Sequence, residues 1–298
     1  MNTTTKRILL ISCTGQVGAE LWRCLQPLGQ VVPVDRSDTA LRIELTDHSN
    51  IRNLVREIKP DIIVNAAAYT AVDKAEQEPD VAMAINGTAP GILAEEAKAL
   101  NALLVHYSTD YVFNGQRNDN AYSEEDFCDP RNVYGATKLA GDQAIQQVGC
   151  KHLIFRTSWV YGRYGKNFLL TMQRLAKERD ELRVVADQIG APTWSRLIAD
   201  ATAQVLAQVN SPLMMADMNK LSGIYNLTCG GQTSWYDFAK AIVQQLPNPP
   251  HVIPITTDEY PAPAKRPAYS VLSNDKLANA FGIRLPSWET ALSVCQSR

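Results

Sequence analysis

The sequence has no excess of either charge. Its 29 Lys and Arg stand against 31 Asp and Glu, a formal net charge of −2. That balance argues against the basic footprint of a nucleic-acid binder. Long apolar runs are also missing: none approaches the roughly 18 residues of a membrane span. The run 8–11 behind Lys6 and Arg7 is too short for the core of a signal peptide. Cysteine is sparse, six residues with no C-x-x-C pair, so neither a zinc ribbon nor a redox motif is indicated and the thiols read as reduced. The four histidines lack metal-ligand spacing. What is present is ordinary for a globular chain: of 298 residues, 45% are hydrophobic and 20% charged, enough to bury a core without disulfides or metal. A cytoplasmic protein without membrane or nucleic-acid partners is expected.

Short apolar runs alternate with longer amphipathic segments. Strands are expected at 7–12, 31–34, 61–65, 103–107 and 152–156, and helices at 16–28, 50–58, 80–100 and 136–148. The strand segments are continuously apolar, as strands buried on both faces are. Strand–helix alternation of this kind predicts an α/β fold with a Rossmann-type, doubly wound parallel sheet. The second half reads as helices at 167–179, 195–209 and 234–246, with a strand at 224–228. Seven prolines between Pro247 and Pro267 exclude regular helix or central strand, so that stretch is expected to be extended or looped.

Between the first strand and helix lies Ser12-Cys13-Thr14-Gly15-Gln16-Val17-Gly18, a G-x-x-G-x-x-G spacing with Ser12 in the first glycine's place. Glycines there let the backbone approach a pyrophosphate, and the helix start offers unpaired N–H donors. Asp35 closes the second strand about 20 residues on, where a carboxylate can hold an adenosine ribose. A plain chain-turning loop is the bland alternative, and the ordered strand, helix and Asp35 weigh against it. Arg36, the next residue, suits a 2′-phosphate or is a solvated surface charge, so NADPH and NADH both stay open.

Tyr134 and Lys138 form Y-x-x-x-K, which places both on one face of a helix. A phenol is a poor acid at neutral pH, and a nearby ammonium lowers its pKa, giving a proton donor suited to reducing a ketone. Taken alone the pair is more often coincidence. Its place, at the start of the helix between the fourth and fifth strands, gives it weight. Ser108 and Thr109 follow the fourth strand's carboxyl end, where ligands bind in open α/β sheets, though capping the next segment is their simpler role.

With Thr14-Gly15-Gln16-Val17-Gly18, Asn65 to Glu76 (NAAAYTAVDKAE), Ser108 to Phe113 (STDYVF), Tyr134 and Lys138, and Arg156 to Gly162 (RTSWVYG), the chain resembles the extended short-chain dehydrogenase/reductase superfamily over nearly its whole length. Asn167-Phe168, the stretch from Asp187 to Thr193, Ser234 to Ala239 and Arg266-Pro267 extend the likeness. The resemblance implies reduction of the C4 ketone of dTDP-4-dehydro-L-rhamnose to dTDP-L-rhamnose by NADPH or NADH, for cell-surface polysaccharide. A reductase of another 4-keto nucleotide sugar, or a non-catalytic nucleotide-binding regulatory subunit, is the alternative. A dehydratase is disfavoured because Tyr111, not a carboxylate, follows Asp110. Thr109, Tyr134 and Lys138 would be catalytic. Gly15, Gln16, Val17, Asp35, Glu44, Leu45, Ala66, Ala67, Ala68, Tyr107, Tyr134 and Lys138 would contact the cofactor, and Thr109, Asp110 and Trp159 the sugar nucleotide. For Trp159 a core aromatic is the plainer role. Residues 1–162 would form mainly the cofactor domain and 163–298 mainly a smaller, interleaved substrate domain, with some segments of about 195–245 returning to the first. Asn114 stands where the superfamily usually has aspartate. Some members form a magnesium-bridged homodimer. Glu20 matches one ligand position, Arg196 stands at another, and 289–296 aligns no third, so magnesium is not expected and a homodimer stays open.

Overall fold

The computed structural model describes residues 5–37, 41–118, 120–210 and 218–297. Apolar stretches form six strands: β1 (Arg7–Ile11), β2 (Gln30–Val34), β3 (Ile62–Asn65), β4 (Leu103–Thr109), β5 (Lys151–Thr157) and β6 (Gly223–Asn226). They pair as one parallel sheet in the order β6-β5-β4-β3-β1-β2. Every residue of β3 and β4 is buried, which is why neither shows alternation in the sequence.

Alternate side chains along each strand feed two cores. Ile8, Leu10, Val64, Val105 and Phe155 pack on one face with Leu21 of α1 (Gln16–Cys24). Leu9, Ile11, Ile63, Leu104 and Ile154 pack on the other with Val55 of α2 (His48–Ile58) and Leu93 of α3 (Ala89–Ala99). On that second side α4 (Val133–Val148) packs against α3. The chain leaves β1 for β2 on one side and returns to β3 on the other. This reversal opens a crevice at the carboxyl ends of β1 and β3, where open α/β sheets bind ligands.

Two expected helices are interrupted, and proline accounts for both. The first ends at Cys24, followed by a 3₁₀ turn at Gln26–Leu28 that contains Pro27. The segment expected as one helix over 80–100 is a short helix (Pro79–Met83), a π turn (Ala84–Thr88) and then α3. Pro90 has no N–H to offer the carbonyl four residues back. That residue, Asn86, turns its side chain to the 66–70 loop: its Oδ1 accepts from Tyr69 N at 2.8 Å and its Nδ2 donates to Tyr69 O at 3.1 Å.

The second half builds a third core from Tyr161, Phe238 and Trp288, around α5 (Phe168–Glu178), α7 (Trp235–Val243) and α8 (Trp288–Gln296). Between α5 and α7 in the chain, α6 (Ser195–Val209) lies against α1, and β6 joins the main sheet beside β5. The helix α7, inside the same 195–245 stretch, packs on α5. The proline-rich stretch contains one strand, His251–Ile255, paired only with Glu181–Val185, so Pro254 sits in a two-stranded edge where its missing donor is tolerated. No disulfide joins any of the six cysteines. Among the described residues no helix is long and apolar enough to cross a membrane.

Candidate active site

The glycine turn joins β1 to α1 at the crevice. Ser12 takes φ 66°, the left-handed conformation a glycine would adopt there, so the departure from the glycine spacing leaves the turn intact at a cost of about 1–2 kcal/mol. Its amide is fixed to Val34 O at 2.9 Å. Gly18 is required for a different reason: a Cβ there would lie 1.8 Å from Ser12 O. Gly15 is the N-cap of α1 with no side-chain cap, and the first turn holds no acidic residue. The helix therefore begins with unsatisfied N–H donors facing the crevice. Gln16 Oε1 is buried there without a hydrogen-bond partner among the described residues. An uncapped helix start and a cradle closed to any side chain fit a dinucleotide diphosphate. Gly18→Ala is expected to cost about 1–3 kcal/mol of stability and to raise the NADPH Kd about tenfold. A thermal melt and a fluorescence titration check this, and wild-type values in both would show the cradle to be slack.

A cleft of about 210 Å³ runs from the turn along the β1–β2–β3 ends, lined by Ser12, Asp35, Arg36, Glu44, Leu45 and Ala67, with Ala68 among its other walls. Ala66 begins this loop, its amide donating to Ile11 O at 3.2 Å. Val17 packs against the core under α1. Asp35 braces the turn: one carboxylate oxygen accepts from Thr14 N at 3.1 Å and Thr14 Oγ1 at 2.6 Å, the other from Arg36 N at 2.7 Å. Burial pushes this carboxyl up, but the hydrogen bonds from Thr14 and Arg36 prevail and hold it below the usual range. Tyr107 is turned away from the cleft. Its ring is in the core and its hydroxyl pairs with Thr202 at 2.8 Å, leaving only its carbonyl to the site.

The carboxyl end of β4 and the start of α4 carry the chemistry. Asn132 caps α4, accepting from Gly135 N, and so fixes the turn bearing Tyr134. Tyr134 and Lys138 share one helix face, with Asp142 one further turn along. Lys138 is fully buried and donates to Tyr107 O at 2.5 Å, with His106 Nε2 at 3.1 Å. Burial pushes this ammonium down to about 8, and Asp142 opposes that. The amine bonds the β4 backbone and His106. Burial pushes Tyr134 up to about 12, the neighbouring Thr109 hydroxyl pulls it down, and Asp110 and Asp142 push it up. A phenol so placed keeps its proton at neutral pH, which is the state a reduction requires.

Asp110 is buried at the β4 end, accepting from Thr109 Oγ1 at 3.1 Å and Ser158 Oγ at 2.9 Å. Trp159 is half-buried at φ 45° and stacks on Trp235 at 3.6 Å between ring centroids. A Cβ at Gly190 would lie 2.5 Å from its ring. Trp159 is therefore held by aromatic stacking. Arg266 ties the proline-rich segment to the first domain through Asp73 at 2.7 Å. His106, Asp142, Ser158, Trp235 and Arg266 were not assigned roles from the sequence. Asp142 had a readable signal, four residues beyond Lys138; His106 and Ser158 had none, since only the sheet brings them in. Glu20, matched to a magnesium position, is paired with Arg23 at 3.3 Å, and among the described residues no cluster of three or more metal-ligating side chains occurs.

A parallel sheet with a dinucleotide crevice, and a phenol and threonine at its carboxyl edge, define an NAD(P)H-dependent oxidoreductase of the Rossmann type. Residues 6–298 match the family described as the RmlD substrate binding domain. The chain is 48% identical over 297 residues to dTDP-4-dehydrorhamnose reductase of Burkholderia thailandensis, covering 97% of each, and 45% identical to that of Escherichia coli K12, covering 96% of this chain and 95% of the relative. A crystal structure of dTDP-4-dehydrorhamnose reductase from Bacillus anthracis in complex with NADP is similar at TM-score 0.89 and 38% identity, covering 98% of this chain and 99% of that one. The chain belongs to the dTDP-4-dehydrorhamnose reductase family.

Proposed function

We propose that the chain reduces the C4 ketone of dTDP-4-dehydro-L-rhamnose to dTDP-L-rhamnose with NADPH or NADH, with Tyr134 as proton donor. The observation that carries this is the Tyr134 phenol beside the Thr109 hydroxyl at the end of β4, next to the dinucleotide crevice. The bound nicotinamide supplies the hydride. Gly15, Gln16 and Val17 would hold the diphosphate, Asp35, Glu44 and Leu45 the adenosine end, and Ala66 to Ala68 with the Tyr107 carbonyl the inner wall. Tyr134 hands its proton to the ketone oxygen, Thr109 binds that oxygen, and Lys138 keeps one donor for the nicotinamide ribose. Asp110 and Trp159 would meet the sugar nucleotide. Residues 1–162 would serve mainly the cofactor and 163–298 mainly the substrate, with α6 and β6 supporting the main sheet. The test is consumption of nicotinamide absorbance when NADPH and this substrate are mixed with the protein. No consumption, with both ligands bound, would remove the catalytic assignment.

One observation favours NADPH. Arg36 lines the same cleft as Asp35 with an exposed side chain. A guanidinium there pairs with a 2′-phosphate. Arg36→Ala is expected to raise the NADPH Kd about tenfold, the worth of one charge-assisted contact, and to leave NADH unchanged. Equal losses for both cofactors would show that Arg36 does not read the phosphate.

A further inference from the structure

We propose that Asn132 and Arg266 are positioning residues for the reduction: they tie the proline-rich segment of the second half to the first turn of α4, and so set the Tyr134 hydroxyl in place. That role presupposes Tyr134 as the proton donor. Tyr134 is the second residue of α4, in the part of a helix that frays most readily. A donor there is only as well fixed as the groups that hold its turn. Two side chains take up N–H groups of that turn. Glu76 Oε1 accepts from Val133 N at 2.8 Å, and Asn132 Oδ1 accepts from Gly135 N at 2.8 Å. Asn132 is 7% exposed, and its amide has a second use: Nδ2 donates to Lys265 O at 2.8 Å. One side chain therefore caps the tyrosine's helix with one end and holds the proline-rich segment with the other.

That segment has two further seats, each on an element next to the site. Asp73 takes it from the cofactor side: Oδ1 accepts from Ala264 N at 3.2 Å and Oδ2 from Arg266 at 2.7 Å. Arg266 also donates to Ala264 O at 3.3 Å, which folds the segment onto the pair. Asp73 lies in the short helix Val72–Ala75 and Glu76 just after it, so a single turn of chain holds both the segment and α4. That turn follows closely on Ala67 and Ala68, which line the cofactor cleft. The other seat is Gly115, beyond the end of β4 that carries Thr109. It takes φ 75°, and a Cβ there would lie 2.4 Å from Pro267 Cβ, so the proline rests on bare backbone. The threonine's strand, the tyrosine's helix and the cofactor loop are thus braced against one four-residue segment.

Stability alone does not account for this arrangement. The Arg266 and Asp73 side chains are 23% and 43% exposed, and an ion pair so open to water adds little to folding. It can still fix a direction. Its bonds keep Lys265 O facing Asn132, and Asn132 sets the capping turn. A displacement of about 1 Å in a group that aligns the reactants can cost about 10²-fold in rate.

Steady-state kinetics with NADPH and dTDP-4-dehydro-L-rhamnose test this. Asn132→Asp is the sharpest variant. Aspartate caps a helix as well as asparagine does, so the fold and the cap survive, but it cannot donate to Lys265 O and sets two oxygens face to face. It should melt with wild type and bind NADPH unchanged. Its kcat should fall about tenfold while KM for the sugar nucleotide moves less than about threefold, because alignment is lost and binding is not. Arg266→Met should behave alike, and Arg266→Lys, which restores a cation beside Asp73, should recover most of kcat. The double variant Asn132→Asp with Arg266→Met should fall no further than the worse single one, since both break the same connection. Losses that multiply in the double variant would make the two residues independent and overturn the proposal. So would a raised sugar-nucleotide KM at unchanged kcat, which would leave the segment a wall of the sugar pocket only. Where the aspartate variant does not fold, the Arg266 series decides: wild-type kcat in Arg266→Met overturns the connection. Near-wild-type turnover by Tyr134→Phe would instead remove the donor assignment beneath it.

Discussion

Tyr134→Phe is expected to lower kcat by about 10²–10⁴-fold, the range of a positioned general acid. That is roughly 3–5 kcal/mol of barrier. The phenylalanine keeps the ring's edge-to-face contact with Tyr111, centroids 5.9 Å apart, and removes only the hydroxyl beside Thr109. Affinity for NADPH should therefore hold, because none of the turn residues touches that oxygen. Steady-state turnover and a fluorescence titration with NADPH separate the two quantities. Turnover near the wild-type rate would mean that the proton comes from elsewhere, and Tyr134 would be reduced to a wall of the cleft. In this arrangement the phenol's high pKa is an asset: it holds the proton until charge develops on the ketone oxygen, and Thr109 then has an acceptor to serve.

The parallel sheet was legible because its strands are buried on both faces, so continuous apolar runs such as Ile62 to Val64 have no other reading in a chain punctuated by amphipathic helices. Residues adjacent in sequence to a motif were legible too: Tyr134 and Lys138 share a helix face by spacing alone. The uses of individual groups were less so. Beside the ligand roles expected of them, one oxygen of Asp35 binds Thr14 twice, and Lys138 binds Tyr107 O and His106. Such contacts arise when β1 is brought beside β2 and α4 beside β4, and no local pattern encodes them. Ser158 reaches Asp110 from 48 residues away for the same reason. The π turn before α3 was hidden because Ala-rich composition favours helix of any register, and only Pro90 and the Asn86 side chain decide where it breaks.

Asp142→Ala should produce the largest stability loss of the substitutions considered. Asp142 is fully buried, as is the Arg156 side chain 3.4 Å from it, and Ser108 Oγ donates to the same carboxylate oxygen at 2.7 Å. Burial pushes this carboxyl up, and Arg156, Lys138 and Ser108 oppose that. Removing the carboxylate strands a guanidinium away from water, which typically costs about 3–5 kcal/mol. In a chain of this length that corresponds to a melting temperature lower by roughly 10 °C. The loss should also reach the chemistry, because Asp142 anchors α4 to Ser108, one residue before Thr109, and so fixes Tyr134 against its threonine. A double variant, Asp142→Leu with Arg156→Met, should melt above the single one, since it leaves no unpaired charge in the core. A single variant that melts within about 2 °C of wild type, under 1 kcal/mol, would mean that water reaches Arg156 and that the pair holds neither the helix nor the phenol in place.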